Sequence, residues 1–549
     1  MDRIGKISES EPWNNNSPVT KLHNMPKYLY GAAVQGIQDF IFQTNKLKEI
    51  VGASELVEQI CTSRFADTLY GEQDKNRLNS DPNAVLNAAG NIKYIFDSEK
   101  ECARVARIFP KSIMEFAPGI TISQSVVIMD DDADFGKAVQ TLEKNLRAQR
   151  NSPMRDMNLG LTGILRSRQT GLPVSYIKPS KNGTEYLDSA TYHKLYHKLF
   201  NDHYIRKETF ETLCSKSFGK DIPQDRIPYD IEKMTGINDW VAIIHADGNG
   251  LGQIVREIGA DKDTFRDFSR KLDHATTEAA RRAFKDTVYN QLDEKSVIPI
   301  RPIVLSGDDH TVICRGDLAI LYTEAFLKYF EEETEKELGQ ILSGLRTDGK
   351  RGKPIFADEA RKLTACAGIA FVKSSFPFHF GYRLAESLCD RAKKDTKALY
   401  RATEGYLPAS CLMFHKVQDS FVADFGDIAR RELRPTSEIS FEFGPYYLSA
   451  PRQGRWTVGT LTAYSDKLQG KEGNAIKSGL RNWLTLLHEN PDLAEQKLDR
   501  MIEITHNKEF VRSVAKADGG EVRHREDGIR VYPVYDLLAV NTINNQKTR

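Results

Sequence analysis

Ser306-Gly307-Asp308-Asp309 sits between two short apolar, β-branched runs at 300–305 and 311–314. Gly-Asp between such runs predicts a β-hairpin whose tight turn carries two adjacent carboxylates. Two carboxylates about 4 Å apart repel by about 4 kcal/mol at an effective dielectric of about 20, so a fold that places them there needs a compensating cation. Mg²⁺ suits that role, because it takes hard oxygen donors and keeps waters and phosphates in its shell. Upstream, the apolar run 240–246 ends in Asp247-Gly248-Asn249-Gly250, which closes a second strand with a third carboxylate. Isolated Gly-Asp turns are common. The combination of a strand ending in Asp-Gly, a helix and then an acidic hairpin is rarer. It points to two Mg²⁺ (or Mn²⁺) ions roughly 3.5–4 Å apart, with Asp247, Asp308, Asp309 and the Gly248 backbone as ligands.

The surrounding periodicity predicts an α+β fold. Leu251, Ile254, Val255 and Ile258 recur at helical spacing after the strand 240–246, and Phe265, Phe268 and Leu272 continue the pattern. The hairpin follows, then a helix at 318–338, a strand at 363–372, a helix at 382–394 and a strand at 411–415. The order βαββαβ is the ferredoxin-like plan of palm domains, here expected over 237–428. A weaker copy spans 27–150. Tyr28 to Gly36 aligns with Trp240 to Gly248, which sets Gln35 where Asp247 stands, and Ala88-Ala-Gly-Asn91 takes the place of the acidic turn. The expectation is therefore two ferredoxin-like (βαββαβ) palms, the first degenerate. A polar tail is expected over 1–26. A linker region at 151–236 reads as loop near 166–173 and helical over 189–217. Over 429–549 a mostly helical domain is expected, with Ile476, Leu480, Trp483, Leu484 and Leu487 as a core stripe.

Composition narrows the function classes. The 549 residues hold Lys+Arg 77 against Asp+Glu 76, a net charge of +1 that does not signal a general nucleic-acid coat while permitting a local basic groove. The 7 cysteines are scattered without a CxxC pair, which fits a reducing cytoplasm and no zinc finger. No apolar run is long enough to span a bilayer, so no membrane partner is expected.

Asp247-Gly-Asn-Gly-Leu-Gly252 fails as an EF-hand loop, since Ile258 stands where a glutamate is needed, and fails the dinucleotide fingerprint on glycine spacing. The better reading is a phosphate cradle built from the backbone of Gly248, Asn249 and Gly250 at a helix N-terminus. Lys393 and Lys394 close a helix expected near the hairpin, where an ammonium would meet triphosphate charge or simply cap a solvated helix end. His193 and His197 share i,i+4 spacing without an intervening acid and read as helix surface.

At these residues the chain resembles the large, polymerase-like subunit of type III CRISPR effector complexes. Three stretches carry the resemblance: Gly31 to Ile41 continuing through Lys46 to Ser54; His245-Ala-Asp-Gly-Asn249 with Ser306-Gly-Asp-Asp309; and Thr364-Ala-Cys-Ala-Gly-Ile-Ala370 with the helix ending in Lys393-Lys394. The GGDEF diguanylate cyclases share the palm more distantly. The resemblance implies a cytoplasmic nucleotidyltransferase that joins ATP through 3′–5′ bonds into cyclic or short oligoadenylate messengers in antiviral defence. On that reading Ser306 and Gly307 border the nucleotide, and Lys393 or Lys394 meets the triphosphate. Nucleoside triphosphates are the expected partners; RNA, other effector subunits and a second copy of the chain stay open. Ser306 departs from the family's usual Gly-Gly-Asp-Asp, which leaves product identity open. Neither an HD nuclease domain nor a four-cysteine zinc module is recognised, so DNA cleavage is not expected. Two rival readings are a non-catalytic RNA-binding scaffold and an enzyme condensing ATP with S-adenosylmethionine.

Overall fold

The computed structural model describes residues 26–545 apart from short interior stretches, of which 153–162, 197–211 and 346–360 are the longest. The expected polar tail (save Pro26) and His197 lie outside the described residues.

The N-terminal unit runs β1 (Lys27–Gln35), α1 (Ile37–Ile41), α2 (Leu47–Gln59), α3 (Phe65–Tyr70), α4 (Arg77–Ser80), β2 (Ala84–Ala88), β3 (Asn91–Phe96), α5 (Glu99–Phe116), β4 (Thr121–Met129) and α6 (Phe135–Arg150). Its sheet order is β2-β3-β1-β4, antiparallel throughout. Helix α1 stops at Ile41, and a π-helical turn at Ile60–Arg64 joins α2 to α3.

Residues 174–188 form a two-stranded hairpin, β5 (Val174–Ser180) with β6 (Gly183–Asp188), just after a stretch expected to be loop. Three short helices follow: α7 (Ser189–Tyr196), α8 (Thr212–Phe218) and α9 (Ile231–Thr235).

The second palm is β7 (Trp240–Gly248), α10 (Leu251–Ile258), α11 (Lys262–Thr287), β8 (Ile300–Ser306), β9 (Asp309–Arg315), α12 (Ala319–Gly344), β10 (Ala365–Lys373), α13 (Phe378–Arg401) and β11 (Cys411–Lys416). The helix α14 (Phe425–Arg431) comes next, then β12 (Ile439–Ser440) and β13 (Tyr446–Tyr447). The six-stranded sheet has the order β13-β11-β10-β7-β9-β8. Strand β13 pairs with β11, so the boundary expected at 428 cuts through a sheet and is corrected here. The sheet centre is an apolar run buried on both faces, because α13 packs across β7, β10 and β11. Gly368 permits that approach: a Cβ there would lie 1.9 Å from the Ala385 carbonyl oxygen.

The four strands β8-β9-β7-β10 repeat the order β2-β3-β1-β4. Register fixes the correspondence. Ala33 faces Asn91 across β1 and β3, while Ala246 faces His310, which sets Asp247 opposite Asp309. Gly36 and Gly250 both precede a helix in the left-handed region, at φ 64 and φ 75. Both markers align Ala33 with Asp247 and Gln35 with Asn249, two residues away from the sequence alignment. A slip of two keeps every side chain on its own face, so alternation alone could not detect it.

The C-terminal region is α15 (Val458–Gln469), α16 (Lys471–Glu489), α17 (Pro491–Ile504), α18 (Lys508–Lys516), β14 (Arg523–His524), β15 (Arg530–Val531) and α19 (Val534–Asn544). It is helical as expected, with a small sheet β12-β15-β14 added. Ile476, Leu480, Trp483 and Leu487 are buried core, and Leu484 is partly buried.

Candidate active site

Ser306 pairs with Asp309, leaving Gly307-Asp308 as a two-residue turn with Gly307 at φ 65. Helix α11 clamps that turn from below. The Gly307 N–H donates to Asp273 Oδ1 at 3.3 Å, and the Gly307 carbonyl accepts from Thr276 Oγ1 at 2.6 Å. Asp273 and Thr276 are three residues apart and so share one helix face. Sequence reading missed both. The signal was weak: polar residues at 273, 276 and 277 beside an otherwise apolar stripe.

Asp247 is the half-buried penultimate residue of β7, and Gly248 lies against Asp308. A Cβ on Gly248 would come within 3.0 Å of Asp308 Oδ2 and 3.1 Å of its Cβ. Asp247 and Asp308 share a hydrogen bond. Burial first, then Asp247, pushes the Asp308 carboxyl up to about 8, the state of a carboxyl that keeps its proton beside another carboxylate. Burial and the charges of Asp247 and Glu386 push Asp309 up to about 7. Burial also works against ionised Asp247, yet the Asp308 hydrogen bond and the Lys393 ammonium hold it below the usual range. The Asp247 and Asp309 side chains remain 40% and 33% exposed, so both can be reached from the cleft.

Lys393, on α13, is ion-paired with Asp247 and donates to the Gly248 carbonyl at 3.1 Å. An ammonium thus occupies a carboxylate and a carbonyl, both hard oxygen donors. Lys394 is exposed, since one residue along a helix turns the side chain by about 100°. Among the described residues, no three His, Cys, Asp or Glu side chains already close on a metal position. The donor chemistry nonetheless fits Mg²⁺: two crowded carboxyls holding back ionisation, a third carboxylate, and a carbonyl in a cradle that a Cβ would fill.

Asn249 does not fit the expected phosphate cradle. Its backbone N–H donates to the Thr364 carbonyl at 2.8 Å, and its buried side chain binds Thr364 Oγ1 and Cys366 Sγ. It is a strut joining β7 to the start of β10. Gly250 remains at the α10 N-terminus as expected. His245 Nδ1 lies 3.4 Å from Asp309 Oδ1 and 3.1 Å from Thr311 Oγ1, and burial lowers its pKa, leaving a neutral ring. His310 faces the core and meets the Tyr322 hydroxyl at 2.8 Å. His193 binds the Ser189 carbonyl of its own helix, as a surface reading expects.

A cavity of about 480 Å³ opens between the two palms beside the turn. Ser306 and Asp309 line it from the second palm, Glu58 and Asn87 from the first, and Lys216 from α8.

Residues 240–399 match the family described as Cas10/Cmr2, second palm domain. Over this segment the chain is similar to that palm. Solved structures agree on the fold. A Csm1–Csm4 cassette in complex with pppApA is 13% identical, with TM-score 0.55 over 96% of this chain and 70% of the other. Cassettes in complex with cA3 and with one ATP, at 12% and 13% identity, both give TM-score 0.53 at the same coverage. No curated protein matches the sequence. Among the described residues no helix is long and apolar enough to cross a membrane.

Proposed function

We propose that the chain is a metal-dependent nucleotidyltransferase that builds cyclic or short 3′–5′ oligoadenylates from ATP. The observation that carries this reading is the meeting of Asp247, Asp308, Asp309 and the Gly248 carbonyl at the edge of a nucleotide-sized cavity between two palms. Mg²⁺ or Mn²⁺ held by these oxygens would supply Lewis-acid charge for a leaving pyrophosphate and an attacking hydroxyl. In the reaction the 3′-oxygen of one nucleotide bonds to the α-phosphorus of another, the bond to pyrophosphate breaks, and the hydroxyl proton leaves to water.

The remaining roles belong to the chain itself. Lys393 neutralises Asp247, and with a cation on those oxygens its ammonium would be available to triphosphate charge. The α10 N-terminus after Gly250, where no side chain caps the helix, would turn its first backbone N–H groups to phosphate charge. Ser306, in the cavity wall, and Gly307 beside it border the nucleotide, and Asn87 across the cavity orients it. Adenine is the favoured base, because the similar Csm1–Csm4 structures hold ATP, pppApA and cA3. Those assemblies also make a Csm4-like subunit the expected protein partner.

The test is incubation with ATP and Mg²⁺ or Mn²⁺, with and without RNA and with S-adenosylmethionine, followed by mass spectrometry. Products of the 3′–5′ oligoadenylate series are expected, and they vanish in Asp308→Ala/Asp309→Ala. Product that persists in that double variant refutes the catalytic assignment. Absence of any product under every condition favours the scaffold reading.

A further inference from the structure

The acidic turn is held by more than its own hairpin. Lys216, on α8 in the region between the palms, donates to Asp273 Oδ1 at 2.9 Å and to the Leu305 carbonyl at 2.9 Å. It also lies 3.7 Å from Glu58 Oε1 on α2 of the first palm. Asp273 Oδ1 is the same atom that accepts the Gly307 N–H. One unbroken series of contacts therefore runs from Glu58 through Lys216 and Asp273 to the residue before Asp308. The Lys216 backbone is pinned in turn, since its carbonyl accepts from Arg281 Nε at 2.8 Å.

We infer that Lys216 is a positioning residue that sets the pose of the acidic turn and ties it to the first palm. The kinetic part of this inference rests on the functional reading above; the structural part does not. One ammonium between two carboxylates makes charge-assisted hydrogen bonds, which are the strong and directional kind. Its side chain is 18% exposed and that of Glu58 14%, so water does little of the screening. Without the ammonium, Asp273 and Glu58 face each other as like charges, and Leu305 and Gly307 lose a shared anchor. Lys216 binds none of Asp247, Asp308 and Asp309; it acts on them through Asp273 and the β8 backbone. A carboxylate displaced by about 1 Å is enough to slow a phosphoryl transfer on the order of a hundredfold.

The test uses the full chain with Lys216→Met, Lys216→Arg and Asp273→Ala, and reads both backbone hydrogen exchange over 303–311 and steady-state kinetics. In Lys216→Met, exchange at the Gly307 amide should rise about tenfold or more. The kcat should fall about tenfold or more while KM for ATP stays within about twofold. Lys216→Arg should lie closer to wild type on both readouts. Asp273→Ala should reproduce the exchange effect, and it decides the matter if Lys216→Met fails to fold. Unchanged exchange in Asp273→Ala and Lys216→Met overturns the inference. So does a rise in KM with kcat intact, which would make Lys216 a substrate contact. If wild type makes no product but exchange responds as expected, the functional reading fails and the positioning role stands.

Discussion

A Cβ on Gly248 has nowhere to go, because Asp308 Oδ2 and Leu251 Cδ1 would lie 3.0 Å and 2.3 Å away. Gly248→Ala should therefore push Asp308 aside and cut product formation on the order of a hundredfold, at a stability cost of about 1–3 kcal/mol. Circular-dichroism melts beside activity assays separate the two effects. Asp308 itself carries a conflict between folding and chemistry. Its carboxyl is buried, bound to Asp247, and pushed up to about 8. Asp308→Asn keeps a hydrogen-bond donor for Asp247 and removes the proton uptake that burying this carboxyl demands on folding. It should raise the melting temperature of metal-free protein by a few degrees, about 1 kcal/mol or more, while abolishing product. A lower melting temperature would contradict the crowding argument. The three aspartates were legible in the sequence because adjacent acids on a turn after an Asp-Gly strand end have few other uses. Lys216, Asp273 and Thr276 were not legible, since polar residues on helices gain meaning only once the helix is docked.

At the scale of elements, the strands and helices of both palms were readable from periodicity, and their order gave the topology. What periodicity missed has physical causes. The β5–β6 hairpin exposes Ile177 and Tyr186 and contains Pro179, so no buried face writes an alternating pattern. The two-residue misalignment of the palms preserved the pleat, and the left-handed glycines corrected it. Helix α7 offers a pH test. Lys194 docks it on the first palm by donating to the Phe40 carbonyl at 2.7 Å and to Gln43 Oε1 at 3.2 Å. Burial lowers the Lys194 pKa from 10.5 to about 8. Above pH 8 the unfolded chain binds the proton and the folded chain does not, so folding stability from this group rises with pH. Relative to Lys194→Met, wild type should gain roughly 2 kcal/mol between about pH 8 and pH 10, measured by chemical denaturation. No relative gain would show that the ammonium is solvated.

For the whole molecule, the palm without the three aspartates forms one wall of the cavity. Asn87 and Glu58 line the cavity opposite Ser306 and Asp309. Asn87→Leu should raise KM for ATP on the order of tenfold with little change in melting temperature, although it lies in the palm without the three aspartates. An unchanged KM would place the nucleotide elsewhere. Two residues beyond Lys393 on α13, Asp395 accepts from Tyr447 of β13 and from Arg455, each at 2.8 Å, and so ties the helix to the segment that leads into the C-terminal helices. Two units of one topology face each other here, and Ala33 stands where its counterpart holds Asp247. Such a pair has lost its two-fold equivalence. The nucleotide beside the aspartates would always give up its pyrophosphate, and the one across the cavity would always offer its hydroxyl. The broken symmetry would thus make synthesis vectorial, with growth at one end of the product and a built-in orientation for closing the ring.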